Sequence, residues 1–101
     1  MNKIDYAARV AVYEKAIAHN GAFLQAIVAL EELSEAQKEI CKLLRDKGSL
    51  EHLAEEVADA TIMLEQLRVM FDINDRVCEY LDAKVQRLAD DLKKEEKGGK
   101  T

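Results

Sequence analysis

The chain has 101 residues, 49% of them apolar, with no proline, four glycines and a net charge of −5, which bounds it to one domain with a modest core. The acidic balance excludes polymeric DNA or RNA as a partner, because counterion release needs a positive footprint that is missing here. Cys41 and Cys78 belong to no CxxC or Cys/His cluster, which excludes a disulfide framework or zinc site and leaves two reduced, half-buried thiols.

With so few breakers the expected fold is all-α, a four-helix bundle-like single domain over residues 1–94, with helices at 5–19, 22–46, 50–71 and 75–94. In the first helix Ala8, Val12 and Ala16 recur at helical spacing, and Asn20-Gly21 breaks it. Tyr6, Tyr13 and Phe23 read as core rather than as a stacking surface for a base. The second helix is apolar on two sides. Ala26, Leu30, Leu33, Gln37, Ile40 and Leu44 form one seam, while Leu24, Val28 and Leu43 lie opposite. A helix apolar on two faces is usually buried on both, and a chain this small seldom covers both, so a homo-oligomer is expected, a homodimer or dimer of dimers.

Lys47-Gly48 closes the second helix and Ser49 caps the third, with Glu51 in its first turn. The third carries Leu53, Val57, Ala60, Leu64, Leu67 and Phe71 in the three-and-four spacing of packed helices. Asp72, Asn74 or Asp75 can cap the fourth, which presents Val77, Leu81, Val85, Leu88 and Leu92 before a charged tail, 95–101, expected to be disordered. The N-terminus lacks a signal peptide's apolar core and no apolar run reaches spanning length, so no membrane is expected and the location expected is the cytoplasm.

The chemistry-bearing feature is a pair of acidic couplets, Glu32-x-x-Glu35 and Glu56-x-x-Asp59. Three-residue spacing puts each couplet on one side of its helix. The spacing alone says little, since Glu79/Asp82 and Asp72/Asp75 repeat it. Two settings distinguish the first pairs. They border Val28, Leu24 and Met63 rather than a wholly polar face, and the Lys47-Gly48-Ser49 turn brings Glu35 to the height of Asp59, with Glu32 and Glu56 within about a turn. Four carboxylates so placed repel one another unless a cation sits among them. Oxygen-only ligands suit a hard divalent ion such as magnesium or manganese, which could in turn hold a polyphosphate. A di-iron carboxylate bundle needs Glu-x-x-His, and neither His19 nor His52 has a glutamate three residues before it.

Gly21-Ala22-Phe23-Leu24-Gln25, Glu31-Glu32-Leu33-Ser34-Glu35, Glu55-Glu56-Val57-Ala58-Asp59 and Lys84-x-x-Arg87 together resemble the MazG-like all-α nucleoside triphosphate pyrophosphohydrolases, compact single-domain type. The family signature is ExxE, a spacer, then ExxD; here the spacer Ala36 to Glu55 is twenty residues. The resemblance covers Asn20 to Leu88. It implies hydrolysis of a nucleoside triphosphate to the monophosphate and pyrophosphate, with magnesium, or manganese in its place, held by Glu32, Glu35, Glu56 and Asp59. It further implies phosphate contacts from Lys84 and Arg87 and a base contact from Gln25, whose amide could equally be a capping or interface group. Sequence does not separate base from ligand among the four acids; Glu35 is the one chosen as general base. His52, one turn before Glu56, is either a group behind the metal ligands or a surface residue. The competing reading is a helical interaction module of the same fold without turnover.

Overall fold

The structure is a computed structural model and describes residues 4–98. Four helices follow in order, α1 (Tyr6–Asn20), α2 (Ala22–Leu44), α3 (Leu50–Met70) and α4 (Asn74–Gly98), with no strand among the described residues. None of them is long and apolar enough to cross a membrane.

Local chemistry explains the boundaries. The Asp5 carboxylate accepts from the Ala8 amide at 2.8 Å and starts α1. Gly21, at φ 88°, donates its N–H to Ile17 O and offers its carbonyl to the Gln25 amide, so a single residue ends α1 and begins α2. Helix α2 stops two residues before the expected Asp46. There the Lys47 amide reaches back to Lys42 O at 2.8 Å and the Asp46 amide to Leu43 O at 3.0 Å, with Asp46 left-handed at φ 57°. The same closure ends α3, where Ile73 N donates to Arg68 O, Asp72 N donates to Val69 O, and Asp72 has φ 52°. Ser49 caps α3 as expected, accepting from the His52 amide at 3.0 Å.

Between these ends, Gly48 has φ 82°, and a Cβ there would lie 3.1 Å from Lys42 Cβ and 3.5 Å from Glu39 Oε2. Gly48→Ala is therefore expected to cost roughly 1–2 kcal/mol, read as a lower urea midpoint at unchanged slope.

Helices α2 and α3 form the principal packed pair, and α1 lies against both. The core is small: Tyr13, Ala29, Ala60 and Met63, with Gln25 and Gln66 buried among them. Gln25 Nε2 donates to Gln66 Oε1 at 2.7 Å, and Asn20 Nδ2 donates to Gln25 Oε1 at 3.0 Å, so the buried amides answer each other. A second tie joins α1 to α3. Arg9 grips both oxygens of Glu65, at 3.0 and 3.1 Å, and Tyr13 OH donates to the same carboxylate at 2.6 Å.

Helix α4 departs from a bundle. It packs against α3, adds one hydrogen bond to α1, and buries none of its residues. The Cα radius of gyration is 17.5 Å, against about 13 Å for a compact chain of 100 residues. Asn74 does not cap the helix with its side chain; its Oδ1 accepts from Tyr6 OH at 3.0 Å and from Arg68. The helix continues through residues 95–98, which were expected to be tail; 99–101 lie outside the described residues.

Several expected core positions face solvent. Phe23 is 82% exposed, and Leu30, Ile40 and Leu44 of α2, Val57 and Leu64 of α3 and Phe71 just after it are exposed as well. Cys41 and Cys78 are exposed rather than half-buried, because Cys41 lies on the outer side of α2 and Cys78 on a helix that buries none of its residues.

Candidate metal centre

The α2–α3 hairpin brings one carboxylate oxygen from each of Glu32, Glu56 and Asp59 within 4.8 Å of one another. Glu32 and Glu56 are half-buried and Asp59 is exposed, so the cluster opens to solvent on one side. Among the described residues none of the three takes part in a salt bridge. Glu56 Oε2 is out of solvent and has no hydrogen-bond partner. A buried acceptor left bare is costly, and a cation or its bound water is what would satisfy it.

Electrostatics agree with this geometry. Glu32 holds its proton above the usual carboxylate range, first through burial and then through the charges of Asp59, Glu56 and Glu35. Glu56 is raised in the same way, by burial first and then by Asp59, Glu35 and Glu39. Each group opposes the ionisation of the next, which is the field an added divalent cation relieves.

The fourth expected ligand stands apart. Glu35 is exposed, outside the group of three, with one oxygen 3.3 Å from Lys38 Nζ, although its charge still reaches Glu32 and Glu56. A residue absent from the sequence reading lies deeper. Glu39 is buried, pairs through Oε1 with Lys42 at 3.1 Å, and has an unpartnered Oε2. Its signal was seven-residue spacing from Glu32, two turns along the same helix side.

Lys84 and Arg87 are exposed on α4, Lys84 Nζ sitting 6.0 Å from the centre of the Tyr80 ring, and neither is salt-bridged among the described residues. Among the described residues no ion pair joins either of them to the acidic cluster within one chain; α4 packs on α3 near Leu64, Leu67 and Val77 and bonds to Tyr6 of α1 through Asn74. Gln25 has both ends of its amide engaged in the buried network. His52 is exposed in the first turn of α3, a surface residue.

Compared with models of protein families, with curated proteins and with solved structures, the chain matches none.

Proposed function

We propose that the chain is a magnesium-dependent hydrolase that splits a nucleoside triphosphate, ribo- or deoxyribo-, into the monophosphate and pyrophosphate, as its resemblance to the MazG-like enzymes implies. The observation that carries the reading is the unpaired set Glu32, Glu56 and Asp59 around a buried, partnerless Glu56 oxygen. All donors are carboxylate oxygens, which fits magnesium, with manganese as substitute, and fits neither zinc nor iron as well. A magnesium ion held there would neutralise the phosphate oxygens on which negative charge builds.

The chain's own groups supply the rest. Glu35, outside the set of three yet within its field, is free to take the proton from the water that attacks the α-phosphorus, while pyrophosphate leaves on the opposite side. Its pairing with Lys38 is an exposed, weak contact that costs little to open. Lys84 and Arg87 can serve as phosphate contacts only if α4 of another copy, or a moved α4, carries them to the cluster. The working form is accordingly a homo-oligomer, a homodimer or dimer of dimers. Two separate apolar surfaces left uncovered, one on α2 and α3 and one on α4, support it.

Those same uncovered surfaces favour the second reading, an interaction module without turnover. The two readings part in one assay: the protein is incubated with magnesium or manganese and a panel of common and modified NTPs and dNTPs, and pyrophosphate is measured. Release from at least one substrate is expected. No release with either ion from any member would leave the module reading standing.

A further inference from the structure

Glu39 is 7% exposed, a setting a carboxylate tolerates only when its charge and both its oxygens are answered. Half-exposed Lys42 answers the charge and Oε1, at 3.1 Å. Oε2 is shut off from solvent without a partner, beneath the turn where a Cβ on Gly48 would come within 3.5 Å of it. The lysine accounts for one oxygen and not for the other.

Glu39 stands seven residues after Glu32, on the same side of α2 and two turns nearer the bend at 45–49. On α3 the acid of the cluster nearer that bend is Glu56. Its Oε2 is the other buried, unpartnered side-chain oxygen among the described residues, and the Glu39 charge is among those that oppose its ionisation. Glu39 is not one of the three whose oxygens come within 4.8 Å of one another, which puts it behind the ligands rather than among them. We propose that Glu39 is a positioning residue of the metal centre, its Oε2 accepting a hydrogen bond from water carried by an ion on Glu56, and that it thereby selects magnesium over calcium.

The selection follows from how the two ions hold water. Magnesium sheds its waters reluctantly and demands a near-octahedral arrangement, so a fixed acceptor behind the ligands suits it. Calcium takes more oxygens in a looser geometry and gains less from one aimed acceptor. Lys42 has a part in this, because by holding Oε1 it leaves Oε2 as the single free acceptor of Glu39. The inference rests on Glu32, Glu56 and Asp59 being a metal centre, and its test needs no turnover.

Isothermal titration with magnesium chloride and with calcium chloride, without nucleotide, compares the full chain with Glu56→Gln, Glu39→Gln and Glu39→Asp, while circular dichroism checks helix content. The parent is expected to bind magnesium more tightly than calcium, and Glu56→Gln to bind neither. In Glu39→Gln the amide oxygen stays with Lys42, so an NH2 that cannot accept takes the place of Oε2. Glu39→Asp keeps the charge and withdraws the oxygen by one methylene. Each should weaken magnesium about ten-fold, the usual loss when a partner behind a metal ligand goes, with calcium binding barely changed. A merely structural Glu39 would move both ions together or neither. The proposal is overturned if both variants keep the parent's magnesium-to-calcium ratio, or if Glu39→Asp behaves as the parent, which would make the effect one of charge alone. Should the parent bind neither ion in the millimolar range, the metal centre falls and Glu39 with it. Magnesium binding that is lost in Glu56→Gln and untouched at position 39 leaves the centre standing and removes only this role.

Discussion

Glu56→Gln is expected to stabilise the metal-free protein while lowering pyrophosphate release about a thousandfold or more. The Glu56 carboxyl holds its proton above the ordinary range because burial, and then Asp59, Glu35 and Glu39, oppose its charge. A carboxyl whose pKa is higher folded than unfolded contributes stability that is complete below the unfolded value and lost as pH rises through the folded one. Without a divalent cation the wild type should therefore lose melting temperature as pH climbs from about 4.3, the ordinary glutamate value, through the raised range. The glutamine variant lacks that loss, and its amide can donate to the neighbouring carboxylates.

Saturating magnesium at neutral pH should reverse the order, because an ion that binds only the folded state stabilises it by mass action; a rise of about 5 °C is expected for the wild type and little for the variant. Melting curves against pH, with and without magnesium, read all of this. Equal turnover in the two proteins, or an equal response to magnesium, would remove Glu56 from the site.

Glu65→Ala is expected to be the most damaging single truncation for the fold. Glu65 is the shared acceptor of the α1–α3 tie, taking both Arg9 bonds and the Tyr13 hydroxyl. Its removal strands a buried phenol and a guanidinium, about 2–3 kcal/mol in a domain this small, or roughly 10 °C in melting temperature or more. Arg9 is 37% exposed on its side chain, so the ion pair itself is screened and the stranded Tyr13 hydroxyl carries much of the loss. Glu65→Gln keeps an acceptor for that hydroxyl and should cost less.

The pH signature runs opposite to that of Glu56. The Arg9 guanidinium pulls the Glu65 carboxyl below its usual range, against its burial, so its contribution is present above the unfolded pKa and disappears as pH falls through the folded one. Tyr13, pushed up to about 12 by burial and then by Glu65, keeps its proton. Its share is complete below the ordinary phenol value and lost only as pH rises through about 12.

Features set by neighbours along the chain were legible before the structure. Gly21 and Ser49 act locally, and the helices after them start where expected; Asp5, read as the first helical residue, is the cap before it. That acids of the two couplets meet was legible too, because a tight turn between helices ties height to distance along the chain, although the same count set Glu35 opposite Asp59 and it is Glu32 that joins Glu56 and Asp59. Glu35 was not separable from Glu32, since three-residue spacing gives a side of the helix but not which member points inward. The Arg9–Tyr13–Glu65 tie and the Gln25–Gln66 pair depend on how α1 is rolled over α3, and composition and period carry no record of that rotation. The core was overread for a related reason: a heptad seam marks a surface that wants a partner and does not say whether the partner belongs to the same molecule. Val57 and Leu64 on α3, Phe71 just after it, and Leu81, Val85, Leu88 and Leu92 on α4 are such cases.

The turn at 45–49 lies outside either helix, and that gives the acidic cluster a phase. One residue added within α2 after Glu35, or within α3 before Glu56, would swing its couplet by about 100° around the helix and pull the oxygens apart. One residue added inside the turn changes spacing without rotating either helix about its own axis. The twenty residues between the couplets are therefore not a tether of adjustable length but two screw threads joined by a coupling, and it is the threads that hold the phase.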